Sequence, residues 1–149
     1  MPQRGAPISM GQLTRTLSER RGILDTSVLI DLDVVEVFAA LPAEVAVSAV
    51  SLAELAAGPV LAADRVSAAR RQFRLQQIEA TFEVIEFGSG AARAFGQIVA
   101  AVSARDRTHR SRVADLMVAA TALNEHADLY TRNPKDFDGL QELLTVIGI

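Results

Sequence analysis

Gly22-Ile23-Leu24-Asp25-Thr26-Ser27-Val28-Leu29-Ile30 sets one carboxylate between two apolar runs. Gly22–Asp25 reads as a short buried strand, and Val28–Asp31 as the start of a helix. A strand that passes into a helix through a polar turn is the opening unit of an α/β fold. Asp25 then stands at the carboxyl end of the first strand. An isolated buried charge is very costly, so this carboxylate must be partnered, protonated or bound to a cation.

The alternation continues along the chain. Val34–Leu41 is helical and ends at Pro42, and Val45-Ala46-Val47-Ser48 is a second strand. Ser51-x-x-Glu54 has the capping-box pattern, which predicts a helix over Ser51–Ala57 stopped by Gly58-Pro59. Asp64–Ala80 is a longer amphipathic helix, and Phe82–Phe87 a third strand. Ser89–Ala104 carries Ala91, Phe95, Ile98, Val99 and Val102 near helical spacing. Arg112–Asn124 is another helix, with Leu116, Met117, Ala120 and Leu123 on one face. Asp128–Thr131 is a fourth strand, followed by a short helix near Pro134–Leu140 and a final strand at Leu144–Ile147. Strands separated by helices predict a three-layer α/β/α domain with a mainly parallel central sheet.

Such sheets bind ligands beyond the carboxyl ends of their strands, at a topological switch point. Asp25 ends the first strand there, and Asn133 and Asp136 follow the fourth. Glu54 and Asp115 are placed in the first turns of helices, within reach of the same edge. Four acids can therefore converge. Each also has a plainer reading: Glu54 as the capping-box partner of Ser51, Asp115 as a favourable charge at a helix start, Asp136 as a surface acid in a loop. The apolar stretch Leu52–Ala63 reads first as core and second as an interface.

A chain of 149 residues fits one domain. Residues 22–149 form the domain proper, and Met1–Arg21 reads as a mobile tail or an over-extended start. With 50% hydrophobic and 22% charged residues, the composition is globular. No cysteine is present, which excludes disulfides, thiolate zinc sites and cysteine nucleophiles. No apolar run approaches the roughly 18–20 residues that span a bilayer. The N-terminus lacks a signal-peptide core, so the cytoplasm is the default compartment. The net charge of −3 does not advertise a nucleic-acid binder, but an acid cluster at a metal site would mask a local basic surface. Arg105, Arg107, His109, Arg110 and Arg112 form such a basic run just before the helix bearing Asp115. It is a solvated loop on the plain reading, and a set of phosphate contacts if it borders the acids. Neither His109 nor His126 has a partner pattern for zinc or a catalytic triad.

Four stretches carry a family resemblance: Leu24-Asp25-Thr26-Ser27-Val28-Leu29-Ile30, Val50-Ser51-Leu52-Ala53-Glu54-Leu55-Ala56-Ala57-Gly58, Asp115-Leu116-Met117-Val118-Ala119-Ala120-Thr121-Ala122 and Leu129-Tyr130-Thr131-Arg132-Asn133-Pro134-Lys135-Asp136-Phe137. In this order they resemble the successive motifs of PIN-domain ribonucleases, and most of all the VapC-type toxins of bacterial toxin–antitoxin pairs. The likeness runs from about Gly22 to the C-terminus. It implies a PIN-like fold and a metal-dependent endoribonuclease that uses Mg²⁺, with Mn²⁺ able to substitute. It also implies an RNA substrate, a VapB-like antitoxin covering the acid site, and a homodimer. Asp25, Glu54, Asp115 and Asp136 would be the acidic quartet, with Asp25 and Asp115 as principal ligands and the other two as ligands or water-orienting bases. Ser27 and Thr131 resemble the supporting hydroxyls of that site. Many relatives carry an Asp where this chain has Asn133, which leaves Asp136 as the fourth acid and Asn133 to orient a water. Two other readings compete. A catalytically inactive PIN-like module acting by protein or RNA binding would not need all four acids. A phosphotransfer enzyme with Asp25 as nucleophile, as in haloacid-dehalogenase-like proteins, would carry an Asp where Ser27 stands.

Overall fold

The computed structural model describes residues 20–103 and 112–149. Strands β1 (Gly22–Leu24), β2 (Val45–Ser48), β3 (Glu83–Ile85), β4 (Asp128–Thr131) and β5 (Val146–Gly148) form one sheet in the order β3-β2-β1-β4-β5. Every pairing is parallel. Helices α1 (Thr26–Ile30) and α2 (Val35–Ala39) connect β1 to β2, and α3 (Ala49–Leu61) and α4 (Arg65–Thr81) connect β2 to β3. The chain then crosses to β4 by way of α5 (Ser89–Ser103) and α6 (Val113–Asn124), and a 3₁₀ turn at Pro134–Phe137 precedes β5. This is the parallel three-layer architecture expected from the alternation. β2 and β4 flank β1 on opposite sides, so the strand order reverses beside Asp25.

Successive strand residues point to opposite faces, and the core divides accordingly. Ile23, Ala46 and Leu129 pack in one buried cluster with Leu116 and Ala119 of α6. Leu24 and Val47 pack in the other, with Val28 and Leu29 of α1, Val37 of α2 and Ile78 of α4. Burial on both faces is why these short strands read as continuous apolar runs. The small residues of α6 let it sink between the sheet and α5: Val118, Ala119, Ala120 and Ala122 are all fully buried. Close approach also explains two glycines. A Cβ at Gly22 would lie 2.8 Å from both Pro42 Cγ and Tyr130 Cε2, and one at Gly90 would lie 2.5 Å from Asn124 Oδ1.

Helix α3 departs from expectation at both ends. It starts earlier, because Ser48 at the end of β2 is its N-cap and accepts the Val50 N–H at 3.1 Å. The capping box from Ser51 is therefore not formed; Ser51 is buried inside the first turn, and Glu54 falls in the second turn rather than the first. The helix also runs through Gly58-Pro59 to Leu61. Pro59 removes one intrahelical donor; near the helix end, Arg71 of α4 donates from Nη1 to the Gly58 carbonyl at 2.9 Å, a bond that local pattern does not reveal. The core reading of Leu52–Ala63 fails at its far end, where Val60 is 84% and Leu61 76% exposed. Elsewhere the elements match with end shifts: β3 is shorter than Phe82–Phe87, the 3₁₀ turn ends at Phe137, and β5 starts at Val146. Residues 1–19 of the predicted tail lie outside the described residues. Arg20 pairs with Asp128 at 3.4 Å and Arg21 with Glu83 at 3.3 Å, which ties the chain to the sheet just before β1.

Candidate active site

Asp25 is fixed by its backbone before its side chain is considered. Its N–H donates to the Tyr130 carbonyl at 2.9 Å, and its own carbonyl accepts the Val28 N–H at 3.0 Å at the start of α1. The side chain is only 5% exposed. Ser27 donates its hydroxyl to Asp25 Oδ2 at 2.8 Å, and Thr131 donates to the same oxygen at 2.9 Å. Two hydroxyl donors converging on one oxygen fix the orientation of this carboxylate. The hydroxyls also receive bonds: Ser27 Oγ accepts the Arg132 N–H at 3.1 Å and Thr131 Oγ1 the Asn133 N–H at 3.0 Å. The chain leaving β4 is thereby wrapped around Asp25.

Glu54 arrives from α3, and its Oε1 accepts the Thr26 hydroxyl at 2.8 Å. Asp115 lies in the first turn of α6. Asp136 lies in the first turn of the 3₁₀ segment, where its N–H reaches the Asn133 carbonyl at 3.0 Å. Burial raises the pKa of the Asp115 carboxyl, and the charges of Asp25, Glu54 and Asp136 raise it further, against the opposing Arg112 guanidinium. Four acids from four separate segments thus share one electrostatic neighbourhood. Among the described residues, no three acids or histidines stand close enough, as placed, to hold one ion between them. The donor set still fits a hard divalent cation. All its groups are oxygens, Mg²⁺ needs only one or two carboxylates beside waters and phosphate, and a cation relieves the repulsion felt by Asp115.

Arg112 stands at the N-cap position of α6, and its Nη2 is buried without a hydrogen-bond partner among the described residues. A guanidinium with spare donors beside carboxylates suits an anionic ligand that both groups could share through a cation. Arg105, Arg107, His109 and Arg110 lie outside the described residues. Sequence reading passed over Thr26, although it lies between Asp25 and Ser27 in the same polar turn and holds Glu54. A separate pocket of about 700 Å³, lined by Arg21, Phe38, Glu44 and Phe82 among others, opens at the amino ends of the strands and contains none of the four acids.

Residues 23–143 match the family model described as the PIN domain, a span that includes all four acids. Comparison with curated proteins returns no match. Among solved structures, the chain is similar to VapBC-5 from Mycobacterium tuberculosis, a member of the VapBC family of toxin–antitoxin systems: 32% identity and a TM-score of 0.74, over 87% of this chain and 98% of that one. It is also similar to FitAcB from Neisseria gonorrhoeae, at 25% identity and a TM-score of 0.70, over 85% of this chain and 96% of that one. VapBC2 from Rickettsia felis, bound to a DNA fragment from its promoter, shares the fold at 20% identity and a TM-score of 0.66, over 86% of this chain and 98% of that one.

Proposed function

The chain belongs to the PIN-domain family, in its branch of VapC-type toxins, and from that premise we propose that it is a divalent-metal-dependent endoribonuclease, the toxin of a toxin–antitoxin pair. The observation that supports this most is the convergence of four acids from separate segments: burial first, and then the charges of Asp25, Glu54 and Asp136, raise the pKa of Asp115. Asp25 and Asp115 are the principal ligands for Mg²⁺ or Mn²⁺, with Glu54 and Asp136 as further ligands or water-orienting bases and Asn133 beside them. These carboxylates would hold the cation, which would supply charge neutralisation for the scissile phosphodiester and a more acidic water as nucleophile. Ser27 and Thr131 hold the orientation of Asp25, and Thr26 does the same for Glu54. Arg112 takes a phosphate oxygen, helped by Arg105, Arg107 and Arg110, so RNA affinity should fall as salt rises.

The partners follow from the same reading. A small VapB-like antitoxin covers the acid site, and two copies of the chain pair as a homodimer. The exposed Val60 and Leu61 support a protein interface on this molecule. No described helix is long and apolar enough to cross a membrane, and we place the activity in the cytoplasm, where RNA is available. The test is cleavage of RNA by the purified protein with Mg²⁺ or Mn²⁺. EDTA, Asp25→Asn and Asp115→Asn should each abolish it. Cleavage retained by both variants would overturn the reading, and growth arrest that survives loss of both acids would replace it with a non-catalytic binding module.

A further inference from the structure

The acids of α3 and α6 have a shared footing in two buried hydroxyls. Ser48 closes β2 and caps α3, and Thr121 lies within α6; both are fully buried. Their hydroxyl oxygens are 3.3 Å apart. Proton counting sets the direction of that bond. Thr121 Oγ1 donates its single proton to the Met117 carbonyl at 3.0 Å, so Ser48 must donate to Thr121. Ser48 Oγ in turn accepts the Val50 N–H at 3.1 Å. The result is a closed relay, from the Val50 N–H through Ser48 and Thr121 to the Met117 carbonyl. It bonds the first turn of one helix to the middle of another.

Glu54 lies six residues beyond Ser48 (54 − 48), and Asp115 six residues before Thr121 (121 − 115). At about 1.5 Å per residue, each carboxylate stands about 9 Å along its own segment from the hydroxyl bridge. A change in helix spacing at the bridge is therefore carried to both acids. Thr26 steadies Glu54 only against α1. The relay joins the end of β2, where Ser48 caps α3, to α6.

We propose that Ser48 and Thr121 are positioning residues, whose hydroxyl relay sets α3 against α6 and so sets Glu54 against Asp115 for the cation. The proposal rests on the metal-dependent reading above. It is tested by titrating Mn²⁺ into wild-type protein and into Thr121→Val, Thr121→Ser and Ser51→Ala, by calorimetry, with thermal melts confirming that each is folded. Thr121→Val keeps the shape and removes the hydroxyl. It should weaken Mn²⁺ binding about tenfold, in the range seen when groups supporting a metal ligand are lost. Thr121→Ser restores the hydroxyl and should bind within about twofold of wild type on the same scale. Ser51 is also fully buried on α3, but its Oγ has no partner among the described residues, so Ser51→Ala should leave binding unchanged. If Thr121→Val folds and binds Mn²⁺ as wild type does, or if Thr121→Ser is as weak as Thr121→Val, the proposal is overturned and the nuclease reading stands. If wild type itself binds no Mn²⁺, the metal-dependent reading falls and takes this proposal with it.

Discussion

At the scale of single residues, Asp25 and Asp115 face one site under opposite constraints. Asp25 is held by two hydroxyl donors on Oδ2, whereas Asp115 is half-buried among like charges, with its pKa raised above the ordinary 3.8. In the metal-free protein the folded state therefore binds the Asp115 proton more tightly than the unfolded chain does. That contribution to stability is present at acid pH and is lost as pH rises through the raised value. Asp115→Asn removes the charge. In EDTA at pH 7 it should melt a few degrees above wild type, with the gap closing toward pH 4, while RNA cleavage disappears. A neutral-pH melting temperature no higher than wild type would contradict this. Asp25→Asn behaves differently. The amide can turn its oxygen toward Ser27 and Thr131, which places its NH₂ where a cation would need a lone pair. Cleavage and Mn²⁺ binding should vanish with little loss of stability. Ser27→Ala instead removes a bond to a charged group and should cost about 1–3 kcal/mol in urea unfolding. An unchanged midpoint would mean that Ser27 does not support Asp25.

At the scale of elements, close contacts decide what each segment tolerates. Gly22 lies in β1 against the ring of Pro42 and the ring of Tyr130, which cannot easily withdraw. Gly22→Ala should cost about 1–3 kcal/mol by overpacking. Gly90 faces the amide end of Asn124, which can swing away, so Gly90→Ala should cost less. Chemical denaturation of the two variants checks the order, and a smaller loss at Gly22 would refute it. The elements also show what was legible in the chain. Gly22–Leu24 and Val45–Ser48 could be read because burial on both faces leaves an uninterrupted apolar signal. The start of α3 could not be resolved locally, since Ser48 and Ser51 are both good caps and only the end of β2 chooses between them. Its end was hidden for a different reason. Gly58-Pro59 carries a strong stop signal, and the bond that ties this end of the helix down, from Arg71 of the neighbouring helix to the Gly58 carbonyl, is tertiary.

At the scale of the molecule, strand and helix alternation carried the topology, and the topology carried the four acids to one edge of the sheet. The spacing among those acids was not legible, because it depends on contacts between segments distant in sequence, Ser48 with Thr121 and Thr26 with Glu54. Nor could sequence tell a buried apolar stretch from an exposed one at the far end of α3. There the molecule shows Val60 and Leu61, and the adjoining α4 shows Val66 at 70% and Phe73 at 66% exposure. Apolar side chains gathered on one helical hairpin are what a partner surface needs. The proposed homodimer should form through it. Because these side chains contribute little to the fold of one chain, replacing both Val60 and Leu61 with Glu should change stability by no more than about 0.5 kcal/mol. The same change buries charge in a dimer contact, so sedimentation should show wild type as a dimer at micromolar concentration and the variant as a monomer. Mn²⁺ binding should persist in the variant, since all four acids belong to one chain. A variant with the mass of wild type would move the dimer contact elsewhere on the surface, and a variant that also lost Mn²⁺ would mean that pairing helps to shape the site.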